Sequence, residues 1–89
     1  MLLSKLGRVM LLYDFYGSLL TSKQQEVMRL YYEHDLSLGE IAAELKISRQ
    51  AVHDILKRAE RSLEAYEAKL GLLAGYLKER TSLRSGEGG

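Results

Sequence analysis

The sequence of 89 residues contains no cysteine, no proline and no tryptophan. Without cysteine there is neither a disulfide framework nor a thiolate metal site. Without proline, nothing forces a break into a chain of good helix formers, and the sequence reads as all-α. No segment sustains the Val/Ile/Thr alternation of a strand. Histidine is scarce. His34 and His53 stand 19 positions apart with no carboxylates arranged beside both, and a metal needs three or four convergent ligands. They read as a helix-end histidine and a surface histidine. No glycine-rich phosphate loop with its lysine precedes a helix. Ser48 lacks a local base and reads as a helix cap, not as a nucleophile. The expectation is a protein that is not an enzyme and uses no cofactor or metal.

Charge of one sign is also lacking. The formal net charge is only +1, unlike the balance of a strong nonspecific nucleic-acid binder. Its distribution is uneven. Between Thr21 and Ile47, Lys23, Arg29 and Lys46 face five acidic residues (Glu26, Glu33, Asp35, Glu40, Glu44), a net −2. Between Ser48 and Arg61, Arg49, Lys57, Arg58 and Arg61 outweigh Asp54 and Glu60, a net +2. The N-terminal "MLLSKLGRVMLLYDFYGSLL" is apolar, but Lys5, Arg8 and Asp14 interrupt it and no small-residue cleavage site follows, so neither a membrane span nor a signal peptide is expected. A cytoplasmic location is.

What is present is helical punctuation and periodicity. Leu6, Val9, Met10, Tyr13 and Tyr16 recur at three-or-four spacing and predict one face of a helix over about residues 3–16, stopped at Gly17. Thr21 with Gln24, and Ser37 with Glu40, read as capping boxes of two further helices. Val27, Met28, Leu30 and Tyr31 face inward from one, and Leu38, Ile41, Ala42 and Leu45 from the other. Lys46-Ile47 makes a turn with Ile47 as its plug, and Ser48 caps a fourth helix. Tyr31, Tyr32 and Tyr66 suit half-buried seats better than a base-stacking platform.

A helix-turn-helix that reads DNA needs a short first helix, a small residue at the crossing, an apolar plug, and polar groups on the first turn of the second helix. Ala42, Ile47 and the apolar set Val52, Ile55 and Leu56 meet the packing needs. Arg49, Gln50 and His53 are the base-reading candidates. Arginine grips guanine and glutamine grips adenine with paired bonds. Lys46, Ser48 and Lys57 are the phosphate candidates. Asp54 and Glu44 oppose phosphate if they face the duplex.

The fourth helix then continues past any minimal reading helix. Val52, Leu56, Ala59, Leu63, Tyr66, Leu70, Leu73 and Leu77 follow in alternating steps of four and three, a heptad seam suited to one partner helix. Leu63, Tyr66, Leu70, Leu73 and Leu77 are the dimer-seam candidates. Packing on the first helix of the same chain is the alternative. Gly71 and Gly75 weaken the helix at about 1 kcal/mol each. Two readings stay open there: one helix to Arg80, or a break near Gly71 with a fifth helix from Leu72.

The stretch "LYYEHDLSLGEIAAELKISRQAVHDILKRAE" closely resembles the YlxM family of small bacterial helix-turn-helix proteins, and the likeness runs from "YDFYGSLLT" to about Leu72. More distantly, "LTSKQQEVMRLYY…SLGEIAAELKISRQAVHDILKRA" is similar to region 4 of sigma-70-type initiation factors, where the second helix reads promoter DNA. The resemblance implies at least four helices, a cytosolic dimer, and a regulatory role in the signal recognition particle pathway. Carried over from the sigma-type motif, Arg49, Gln50, His53 and Lys57 are the reading positions.

The expected fold is therefore all-α, a sigma region 4-like helix-turn-helix of the winged-helix-like DNA-binding class without a wing, with a long C-terminal dimerisation helix. Residues 1–80 form one helical domain, with the helix-turn-helix at about 37–61 and the seam helix at about 62–80, and residues 81–89 form a flexible tail. The expected function is DNA-binding regulation by a homodimer, with duplex DNA and signal recognition particle components as partners. The alternative is an interaction protein whose helix-turn-helix is a scaffold and whose C-terminal helix grips a protein or ribonucleoprotein.

Overall fold

Serine and threonine caps set the helix boundaries. A computed structural model describes the backbone of residues 4–88 and side chains as far as Arg80. It is all-helical over the described residues: α1 (Lys5–Tyr16), α2 (Ser22–Tyr32), α3 (Leu38–Leu45), α4 (Arg49–Leu70) and α5 (Leu72–Gly88), with a 3-10 turn at Gly17–Leu19. Both predicted capping boxes form, Thr21 with Gln24 and Ser37 with Glu40. Ser4, which the periodicity did not single out, caps α1 by accepting from the Gly7 amide at 3.0 Å. No helix among the described residues is long and apolar enough to cross a membrane.

Helix α4 is the central strut, packed against α1, α2 and α3. Val52, Leu56, Ala59 and Leu63 on its inner side join Val27 and Met28 of α2 and Ile41 of α3 in a continuous buried core. Each fully buried aliphatic side chain of this kind contributes about 1.5–3 kcal/mol. Helix α1 adds Val9, Leu12 and Tyr16. This differs from the expected stripe, because Leu6 and Met10 are 54% and 40% exposed. The buried line of α1 runs 9, 12, 16, facing α4 and α5, and leaves 6 and 10 toward solvent. Gly17 also acts otherwise than expected. Its φ of −56° is ordinary helix, so no left-handed cap is needed. A Cβ there would lie 3.1 Å from the ring of Tyr13, which makes close approach the reason for glycine.

At Gly71 the heptad seam breaks. Its φ of +63° is left-handed, a conformation glycine adopts without steric cost. The Gly71 amide donates to the Glu67 carbonyl at 2.8 Å and ends α4. The chain restarts at once as α5, so the broken-helix reading holds. Four hydrogen bonds fix the corner. The Tyr16 hydroxyl donates to Glu67 Oε1 at 2.7 Å and accepts from the Leu72 amide at 2.9 Å. The Leu73 amide donates to Glu67 Oε1 and the Ala74 amide to Oε2, both at 2.9 Å. A carboxylate from the preceding helix thus satisfies the orphan amides at the start of α5, where the helix dipole favours negative charge. One turn earlier, Arg8 grips Glu64 through two bonds of 2.7 and 2.8 Å. Both partners are about half exposed, so the pair adds about 0.2–1 kcal/mol.

The corner shows where the dimer-seam candidates lie within one chain. Leu63 and Leu73 are fully buried within the chain, in the same core as Val9, Leu12 and Tyr16 of α1. They have no surface left for a second copy. Tyr66 and Leu77 are half-buried against the same core. Leu70 is 57% exposed. The backbone of α5 stays helical through Gly88. Once a helix is nucleated, propagation needs only one hydrogen bond per residue, and the chain has no proline to stop it. Gly89 lies outside the described residues.

The corner also titrates. Burial pushes the Tyr16 phenol up, and its bond to Glu67 adds to this. Burial works to raise the Glu67 carboxyl, but the bonds from Tyr16, Leu73 and Ala74 together hold it below the usual value. The Arg8 bond does the same to Glu64. Their stabilising contribution is therefore complete above the ordinary carboxylate pKa of about 4 and is lost as pH falls through the lower folded values. Thermal melts between pH 7 and pH 3 should show falling stability below that range, with a smaller fall for Glu67→Gln than for the native chain. A second expectation separates the two leucines at the corner. Leu73→Asp puts an unpaired charge in the core and should cost more than about 4 kcal/mol. Leu70→Asp should change stability by no more than about 0.5 kcal/mol, as exposed substitutions do. Urea unfolding of both variants checks this.

Candidate nucleic-acid interface

The turn between α3 and α4 is built by local chemistry. Lys46 ends α3 in the left-handed region, φ 59° and ψ 43°, with its amide donating to the Ala42 carbonyl. The Ile47 amide donates to the same carbonyl at 3.1 Å, and the half-buried Ile47 side chain packs on the core as the expected plug. Ser48 is extended, and its hydroxyl accepts from the Ala51 amide at 3.0 Å. The chain direction therefore changes sharply between Leu45 and Arg49. Val52, Ile55 and Leu56 turn inward, the first and last buried and Ile55 half-buried, and the first turn of α4 is left facing solvent.

Of the base-reading candidates, Arg49, Gln50 and His53 are all exposed, and together with Leu38 of α3 they line one shallow cleft. The structure brings these three together as expected. Arg49 forms no ion pair or hydrogen bond through its side chain among the described residues. Gln50 and His53 are less free. The Gln50 side-chain amide donates to Asp54 Oδ1 at 2.9 Å, and His53 Nδ1 lies 3.8 Å from the same oxygen. Asp54 thus sits beside the base-reading candidates and holds Gln50.

The phosphate candidates divide. Lys46 is exposed at the turn. The Ser48 hydroxyl is engaged as the cap, so a phosphate there would meet the amides of Arg49 and Gln50, which have no intrahelical partner at a helix start. Lys57 is half-buried and 3.6 Å from Glu60 Oε1. Sequence reasoning missed the role of Glu60. Its other oxygen accepts from the Tyr32 hydroxyl at 2.7 Å, and burial together with that bond pushes the Tyr32 phenol strongly upward. The three-residue spacing of Lys57 and Glu60 was legible, but the arrival of Tyr32 from α2 was not. Beyond Lys57, a groove between α1 and α4 is lined by Lys5, Arg8, Lys57 and Arg61 with Glu60 and Glu64. Among the described residues no cluster of three or more His, Asp or Glu could hold a metal ion.

Comparison with known proteins follows the same motif. A family model described as "Putative helix-turn-helix protein, YlxM / p13 like" matches residues 3–85. The chain is 57% identical over 76 residues to a UPF0122 protein of Desulforamulus reducens, covering 85% of this chain and 65% of that protein. It is 67% identical over 63 residues to one of Caldanaerobacter subterraneus subsp. tengcongensis, covering 71% and 54%. A Geobacillus kaustophilus UPF0122 protein is 54% identical over 79 residues, covering 89% and 72%. The chain spans roughly half to two thirds of the length of the first two of these relatives.

The turn yields a stability expectation. A non-glycine residue in the left-handed region carries a strain of about 1–2 kcal/mol. Lys46→Gly relieves it, less the greater unfolded-state freedom of glycine, and should stabilise the protein by about 0.5–1 kcal/mol. Chemical denaturation measures this. A destabilised variant would mean that the lysine side chain contributes packing at the turn that outweighs the strain.

Proposed function

We propose that this chain, which belongs to the YlxM/p13-like family of helix-turn-helix proteins, is a DNA-binding regulatory protein that lays the first turns of α4 in the major groove. The observation that carries this reading is the cluster of Arg49, Gln50 and His53, exposed side by side where α4 begins. The N-terminal end of the second helix is the part that meets base edges in this motif. Arg49, free of intramolecular partners among the described residues, supplies the paired donors that match guanine. Gln50 must exchange its Asp54 bond for an adenine edge, or Asp54 itself must accept from cytosine. Lys46 and the amides at the start of α4 contact phosphate and set the register. Such a protein works in the cytoplasm as a homodimer, with two reading helices one turn of DNA apart, about 34 Å. The second copy would meet the apolar side chains still exposed at the α4–α5 corner, Leu70 and Leu72, and not Leu63 or Leu73.

One observation favours a second reading. Gln50 and Lys57 both have partners within the chain, as they would if the helix-turn-helix were a scaffold. In that case the exposed Leu70, Leu72 and Tyr76 would grip a protein or a ribonucleoprotein of the signal recognition particle pathway.

Selection from a random pool of duplex DNA, with binding followed at several salt concentrations and the same titration on signal recognition particle RNA, separates the two. Enrichment of a two-fold symmetric site is expected. On that site Arg49→Ala should lose about 1–3 kcal/mol and relax the preference at one base position. Absence of enrichment, with negligible binding to duplex at physiological salt, would sink the DNA reading and favour the scaffold.

A further inference from the structure

The basic side chains of α4 do not stop at the turn. Arg49, His53, Lys57 and Arg61 recur every four residues, so they form a stripe that drifts about 40° around the helix with each step. Arg61 lies about 18 Å along the axis from Arg49, at 1.5 Å per residue. At that level α1 crosses α4, and Lys5 and Arg8 come to face Lys57 and Arg61 across the groove. Four cations and two carboxylates line it. Both carboxylates are already engaged, Glu60 by Tyr32 and Lys57, and Glu64 by Arg8. The side chains of Lys5 and Arg61 have no hydrogen-bond or ion-pair partner among the described residues, and both are exposed. Two uncompensated cations from opposite walls thus stand at the far end of the basic stripe.

We infer that this groove holds the sugar–phosphate backbone of duplex DNA beside the base-read segment, with Lys5 and Arg61 as its phosphate ligands. The inference rests on the reading proposed above and extends it. A helix whose first turns lie in the major groove must leave that groove along its length and meet one strand's backbone. Phosphate is the chemistry that matches two exposed cations, since contacts of this kind position the protein without reading sequence. The groove has apolar walls in Val9, Leu12 and Leu63, and low-dielectric walls strengthen the field of the cations above them.

The test compares the full chain with Lys5→Ala/Arg61→Ala and with a control of equal charge loss outside the groove, Lys23→Ala/Lys69→Ala. Affinity for the selected duplex is measured against salt. Each phosphate contact contributes about 0.9 to the slope of log affinity against log salt, so the groove variant should lose about 1.8 of slope and bind several-fold to tens-fold more weakly near 0.1 M salt. Its base preference should be unchanged, whereas Arg49→Ala alters that preference. The control should keep most of the slope. Equal losses in both double variants would overturn the groove and leave a mere effect of net charge. An unchanged slope in the groove variant, with native binding to DNA intact, would overturn the inference while the proposed function stands. Failure of the native chain to bind duplex at all would overturn both. Circular dichroism of each variant shows that the exposed substitutions leave the helices formed.

Discussion

The Glu67 carboxylate is the fixed point of the molecule. It accepts three hydrogen bonds, from the Tyr16 hydroxyl and from the Leu73 and Ala74 amides. Each comes from a group that folding would otherwise leave buried or unpaired. Tyr16 is fully buried, and a buried phenol without a partner would incur the full cost of its lost hydration. The first amides of α5 have no intrahelical acceptor. A single side chain answers both needs, and in doing so it ties α1, α4 and α5 together at one place. Gly71 makes the turn sterically free. Glu67 makes it definite in direction. Without that bond set, the start of α5 would keep unpaired amides, Tyr16 would keep a buried hydroxyl with no partner, and α1 would rest on α4 by apolar contact and the Arg8–Glu64 pair alone.

Helix α4 carries two tasks on opposite sides, and its charges show how they are kept apart. The inner line Val52, Leu56, Ala59, Leu63 is buried, and burial alone explains those residues. On the outer side every acidic group has a nearby cation or donor: Asp54 has Gln50 and His53, Glu60 has Lys57 and Tyr32, and Glu64 has Arg8. The result is a surface whose net positive charge resides in a few unpaired groups, Arg49 and Arg61 among them, and is not spread as a general basic coat. That agrees with a formal net charge of +1 in a chain whose family is defined by a helix-turn-helix.

Local features were legible in the sequence and distant ones were not. The caps at Thr21, Ser37 and Ser48 depend on residues three apart, so residue type and spacing suffice to find them. The plug at Ile47 and the exposure of Arg49, Gln50 and His53 follow from the same short stretch. The heptad line through α4 was also visible, but its occupant was not. A seam pattern specifies a narrow apolar face and says nothing of whether the partner helix belongs to the same chain. Within one chain, the bend at Gly71 turns Leu73 into the core, and that bend is bonded by Tyr16, 51 positions before Glu67. The stripe of α1 was misread for the same reason. With apolar residues at 6, 9, 10, 12, 13 and 16, more than one face satisfies helical periodicity, and only the placement of α4 and α5 selects 9, 12 and 16. The groove cations Lys5 and Arg61 could not be paired from sequence at all, because nothing local relates them.

The two halves of the proposed interface therefore rest on different parts of the fold. The reading turn is held by Ser48, Ile47 and the Ala42 carbonyl, all within a few residues, and by Ile41 and Val52 beneath it. The flanking groove exists only because α1 lies where Arg8–Glu64 and Tyr16–Glu67 put it. Arg49, Gln50 and His53 stand on a helix start capped locally, whereas Lys5 and Arg61 are brought to one groove by the packing of α1 on α4. Backbone contact and base contact are thus separable by structure: one follows from the tertiary position of α1, the other from local capping.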